Sequence, residues 1–130
     1  MSLLTLPNNL VSASWLAENI DHRSLVLLDA SWFMPVLKRD GKTEWLDETI
    51  PNAHFFDFDK KICDQDSVLP HMMPSETLFQ QNARSLGINQ ESVIVVFDRL
   101  GLFSSPRVWW MFKCMGFDNI AVLNGGLNSW

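Results

Sequence analysis

Residues 92–97 read S-V-I-V-V-F, a β-branched, apolar run of strand length that no charge interrupts. Strand side chains alternate between two faces, so a run apolar at nearly every position must be covered on both. A parallel sheet sandwiched between helices meets that demand. A second run, S-L-V-L-L-D at 24–29, has the same character and ends in a carboxylate at the expected carboxyl edge of the sheet.

The segments between these runs alternate in kind. After a short apolar entry at Leu10 and Val11, Ser12 caps a helix over 13–20 that places Trp15, Leu16 and Ile20 on one face. Pro35 and Gly41 act as breakers, with a short helix expected at 43–48. Residues 53–56 (A-H-F-F) read as a short strand, and 57–74 as a long polar, proline-bounded loop of the kind that often carries function. Ser75 caps a helix to Leu86, stopped by Gly87. Ser105 as N-cap and Pro106 at the first helical position open a helix that Gly116 closes. Residues 120–123 form a last strand, and Gly125-Gly126 turns into a helix that has barely begun at Trp130, which suggests a truncated piece. The alternation predicts one α/β domain over 1–130, with about five mainly parallel strands flanked by helices on both faces.

The helix at 105–116 is apolar around almost its whole circumference, with only Arg107 and Lys113 charged. Such a helix is buried on more than one side. Either the sheet and a neighbouring helix flank it, or a second domain covers it. The net charge of −5 argues against nucleic acid and anionic membranes as partners. No apolar stretch is long enough for a membrane span, and the amino terminus lacks the pattern of a signal peptide. Cys63 and Cys114 have no metal-ligand spacing, so a reduced, cytoplasmic protein without a metal site is expected.

Several motifs together resemble the rhodanese superfamily: L-L-D-A-S-W at 27–32, F-F-D-F-D at 55–59, P-H-M-M-P at 70–74, S-S-P-R-V-W-W-M-F at 104–112 and V-L-N-G-G-L-N-S-W at 122–130. The combination is most similar to the amino-terminal, non-catalytic domain of two-domain 3-mercaptopyruvate and thiosulfate sulfurtransferases. Where the family often has H-I-P-G-A, this chain has T-I-P-N-A at 49–53, and Asn52 tolerates the left-handed geometry of that turn. The resemblance implies a parent enzyme that takes sulfur from a small donor and holds it as a cysteine persulfide in a second, Cys-bearing domain absent here. That enzyme would pass the sulfur to cyanide or a thiol acceptor. No cofactor is implied.

In an active domain of this family a Cys at the end of the fourth strand opens a cradle of backbone N–H groups. Here that position is Asp98, heading a degenerate loop with Arg99, Gly101, Phe103 and Ser104. A carboxylate cannot accept sulfur, so the chain alone is expected to be inactive, with Asp98 capping the loop or the following helix in place of an anion. Asp64 and Asp66 beside Cys63 disfavour its thiolate, and Cys114 reads as a core residue. The resemblance places Asp59 and His71 as auxiliary catalytic residues: Asp orients His, and His moves a proton on a hydroxyl of the second domain. By position alone His71 is an exposed, solvated loop residue. Phe103 and Ser104 either line an interdomain cleft or, for Phe103, sit in the core. Arg107 either binds a carboxylate or makes structural contacts. The main alternative function is an inactive rhodanese-like module that works by binding protein. A single-domain sulfurtransferase using Cys63 is a third reading.

Overall fold

The computed structural model describes residues 4–69 and 71–130; Pro70 of the 70–74 motif lies outside the described residues. The element order is β1 (Leu10–Val11), α1 (Ala13–Asn19), β2 (Leu25–Asp29), a 3-10 turn (Pro35–Leu37), α2 (Gly41–Asp47), β3 (His54–Phe55), α3 (Glu76–Ser85), β4 (Val93–Phe97), α4 (Ser105–Cys114), β5 (Ile120–Leu123) and a final 3-10 turn (Gly126–Ser129). The strands form one sheet in the order β1-β5-β4-β2-β3, and every pairing is parallel.

The apolar run in β4 is buried at all five positions. Ile94 and Val96 face a core built with Phe79 and Ala83 of α3 and Val108, Met111 and Phe112 of α4. Val95 and Phe97 face the opposite core, with Leu16 of α1. The helices thus cover both faces, as the sequence run demanded.

From β2 the chain moves outward to β3, and from β4 it moves back to β5, so the topology reverses between β2 and β4. In parallel α/β sheets the carboxyl ends flanking such a reversal form a crevice. Asp29 and Phe97 are register partners there, and the loops that follow them form the candidate site.

Three expectations need correction. Gly41 is not a breaker: it is the first residue of α2, capped by Asp40, whose side chain accepts from Thr43 N–H at 3.0 Å. Only glycine fits there, because a Cβ would meet the Ser31 carbonyl oxygen at 2.4 Å. Ser105 is not the N-cap of α4; Ser104 takes that place, without a side-chain cap bond of its own. Cys114 is exposed rather than core, and Trp110 is 44% exposed. The stripe of α4 that the sheet and α3 bury is Val108, Met111 and Phe112, with Phe79 and Phe112 in edge contact at 4.8 Å. The outer face of the helix is therefore apolar but open.

Candidate functional site at the carboxyl edge

Asp98 follows directly on β4 and is 1% exposed. Its Oδ2 accepts from the backbone N–H groups of Phe103 (3.0 Å), Ser104 (3.0 Å) and Ser105 (2.8 Å), and its Oδ1 from Leu100 N–H (2.9 Å). The carboxylate thus fills a cradle of four converging donors at the start of α4. A negative charge is favoured there both by those free N–H groups and by the helix dipole. This supplies the cap that neither Ser104 nor Ser105 provides.

The Gly125-Gly126 turn closes against the back of this loop. Leu127 N–H donates to the Asp98 carbonyl at 3.1 Å. Gly126 has φ +60, and a Cβ there would lie 2.1 Å from the same carbonyl oxygen. Gly101, at φ 102, lets the loop fold back so that Asp98 and Gly101 form a bridge.

The remaining loop residues divide between the inside and the rim. Arg99 turns into the body: its guanidinium donates to the Glu44 carbonyl at 2.9 Å and to the Glu48 carbonyl, and lies 3.8 Å from the Asp29 carboxylate. Asp29 is fully buried, and burial pushes its carboxyl up despite the Ser31 hydrogen bonds and the Arg99 charge that favour ionisation. Ser104 is buried, its hydroxyl accepting from Trp32 N–H at 3.2 Å. Phe103 is not core: it is 47% exposed and stacks on Trp32, with ring centroids 6.2 Å apart and planes 7° from parallel.

Trp32 also joins this wall to the long loop. Its ring meets His71 edge-on at 4.6 Å, and the Phe58 ring packs against the imidazole at 4.9 Å, tilted by 58°. His71 Nε2 lies 2.7 Å from Asp59 Oδ1. The histidine is therefore not a solvated loop residue: its side chain is 19% exposed, packed against two aromatic rings and paired with a carboxylate. Asp57 shapes the approach, its Oδ1 accepting from the N–H groups of Asp59 (3.2 Å) and Lys60 (2.9 Å). The aromatic clamp around His71 was missed in the sequence. The alternation of Asp57, Phe58 and Asp59 was its only local signal, since Trp32 comes from a distant segment. Arg107 makes structural contacts: Nη2 donates to the His71 carbonyl, and the guanidinium lies 4.8 Å from the Trp110 ring centroid.

Cys63 belongs to the same loop. It is 7% exposed, and its Sγ lies 3.3 Å from the Asp59 carbonyl oxygen. Burial first, and then the charges of Asp57, Asp59 and Asp64, push its thiol up, which is the opposite of what a nucleophile needs. Among the described residues no group of His, Cys, Asp and Glu is arranged to hold a metal ion. No helix among them is long and apolar enough to cross a membrane.

A family model described as a rhodanese-like domain matches residues 12–130. The chain belongs to the rhodanese-like domain family. This rhodanese-like domain is 44% identical over 120 residues to thiosulfate/3-mercaptopyruvate sulfurtransferase 1, mitochondrial, of Arabidopsis thaliana; the match covers 92% of this chain and 31% of that protein. It is 40% identical over 121 residues to the 3-mercaptopyruvate sulfurtransferase of Escherichia coli K12, covering 92% of this chain and 43% of that one. The crystal structure of SseA from Escherichia coli superposes with a TM-score of 0.87 at 40% identity, over 95% of this chain and 47% of that chain. The chain therefore spans less than half the length of these relatives, and what it matches is the amino-terminal domain of a two-domain enzyme.

Proposed function

We propose that this domain is the non-catalytic half of a two-domain sulfurtransferase that takes sulfur from 3-mercaptopyruvate or thiosulfate. Its single domain over 1–130 would form one wall of a cleft completed by a second, Cys-bearing rhodanese-like domain. The observation that carries this reading is the Asp98 carboxylate seated in a four-donor cradle where the family's active domains present a cysteine. The donors are already satisfied by an internal anion, and that anion would repel thiosulfate or a thiolate approaching them. The domain is then inactive alone.

In the parent enzyme the second domain's cysteine thiolate would attack the donor sulfur. The C–S bond of mercaptopyruvate would break, and pyruvate would leave after protonation at carbon. Asp59 and His71 would assist: with Nε2 engaged by Asp59, Nδ1 is the nitrogen left to exchange a proton with a hydroxyl of the second domain. The persulfide would then pass its outer sulfur to cyanide or a thiol acceptor. Two free cysteines, Cys63 and Cys114, support a reducing compartment such as the cytoplasm.

The test is the intact mass of this chain after incubation with 3-mercaptopyruvate or with thiosulfate, followed by a cyanide chase. The expected result is no added sulfur. A cyanide-removable sulfur would overturn the non-catalytic assignment. For the auxiliary pair, His71→Ala in the parent enzyme is expected to lower turnover with mercaptopyruvate roughly a hundredfold or more; unchanged kinetics would remove His71 from the reaction.

A further inference from the structure

His71 adopts φ 61, the left-handed region that residues with a Cβ seldom occupy. In that conformation its ring enters the aromatic slot that Trp32 and Phe58 line, and Nε2 reaches Asp59. Between fixed flanking segments, an ordinary backbone angle would redirect the Cα–Cβ bond and carry the ring out of that slot. Something must therefore hold the neighbouring peptide groups. The peptide group that directly follows His71 is held through the His71 carbonyl, which receives the Nη2 group of Arg107. One residue further along, Asp64 N–H donates to the Met72 carbonyl at 2.8 Å.

Arg107 suits that task. It stands in the first turn of α4, the element that the Asp98 cradle anchors, so the donor comes from a rigid support. Its guanidinium carbon lies over the Trp110 ring, 4.8 Å from the centroid, and a charged donor binds a carbonyl more strongly than a neutral one. Its Nε is buried and has no hydrogen-bond partner among the described residues, so the Nη2 bond to His71 is a polar contact that orients the group.

We infer that Arg107 is a positioning residue, whose grip on the His71 carbonyl selects the backbone conformation in which His71 pairs with Asp59. The catalytic meaning of this arrangement rests on the reading of Asp59 and His71 as a proton relay. The arrangement itself is measurable in this chain without turnover.

The experiment compares long-range 1H–15N spectra of the His71 ring in the wild-type chain, Arg107→Met and Arg107→Lys, with Asp59→Asn as the reference for an unpaired ring. Methionine keeps the stem beside Trp110 and removes the donor. Arg107→Met is expected to give the His71 ring signals of Asp59→Asn while the fold, read from the backbone amide spectrum, stays intact. Arg107→Lys, which keeps a charged donor, is expected to recover wild-type signals in part. Should Arg107→Met not fold, Arg107→Gln, too short to reach the carbonyl, carries the same expectation. Wild-type ring signals in the folded donor-less variant would overturn the inference. If the spectra change as expected but His71→Ala leaves the parent's turnover unchanged, the clamp stands and the relay falls. If the ring signals do not move but His71→Ala is inactive, the relay stands and the clamp falls.

Discussion

Replacing Asp98 with alanine isolates the force that shapes the loop. The substitution strips the acceptor from four backbone N–H groups at once. Leu100 is 41% and Phe103 47% exposed, so water can replace the carboxylate there at small cost. Ser104 and Ser105 are 4% and 0% exposed, and their N–H groups would be left without a partner. An orphaned buried donor costs about 1–3 kcal/mol, so the two together cost roughly 2–6 kcal/mol. Releasing a buried charge to a neutral methyl returns part of that, because a carboxylate is itself expensive to keep from water. The net loss is about 2–4 kcal/mol, which for a domain of this size lowers Tm by roughly 10 °C. Asp98→Asn should lie between: its amide oxygen can serve the three donors on Oδ2, while its NH2 then faces the Leu100 N–H. Thermal melts followed by circular dichroism give the order wild type, Asn, Ala. Hydrogen exchange should show the Ser104 and Ser105 amides losing protection in the alanine variant. An Asp98→Ala protein that melts within about 2 °C of wild type, with those amides still protected, would refute the account of the carboxylate as the loop's internal anion.

Gly126→Ala should destabilise the domain by at least about 2 kcal/mol, since it combines a positive φ with a Cβ driven into the Asp98 carbonyl; a chemical-denaturation midpoint equal to wild type would contradict the packing. Asp29 has a folded pKa raised above the ordinary 3.8, so folding takes up a proton there. Its stabilising contribution is full below pH 3.8 and is lost as pH rises through the folded pKa, so the Tm advantage of wild type over Asp29→Asn should shrink with rising pH across that window. A constant difference between the two melting profiles would contradict the raised pKa. Cys114, exposed, should be alkylated by iodoacetamide well before Cys63, which is buried and has its thiol pushed up; peptide mass mapping over time reads the order.

The residue pattern by itself determined the layered fold. A strand such as 92–97, apolar at successive positions, has no stable setting except between two covering layers, and the alternation of short strands and capped helices leaves few ways to build them. The sequence also held the positions of Asp98, Asp59 and His71, because motifs place residues at the ends of strands and on loops. It did not decide what those side chains touch. Cys114 and Phe103 looked like core because they are apolar neighbours of apolar residues, yet α4 buries only the stripe toward the sheet and α3, and the loop turns Phe103 outward beside Trp32. His71 looked solvated, because its shelter comes from Trp32 and Phe58, and its carbonyl is held by Arg107, 36 residues further along the chain. Local pattern fixes which face of an element is apolar; only the packed structure brings segments from β2, the long loop and α4 to one place. The pairing of Asp59 with His71 is the clearest case, since a twelve-residue separation in a loop carries no distance until the aromatic slot imposes one.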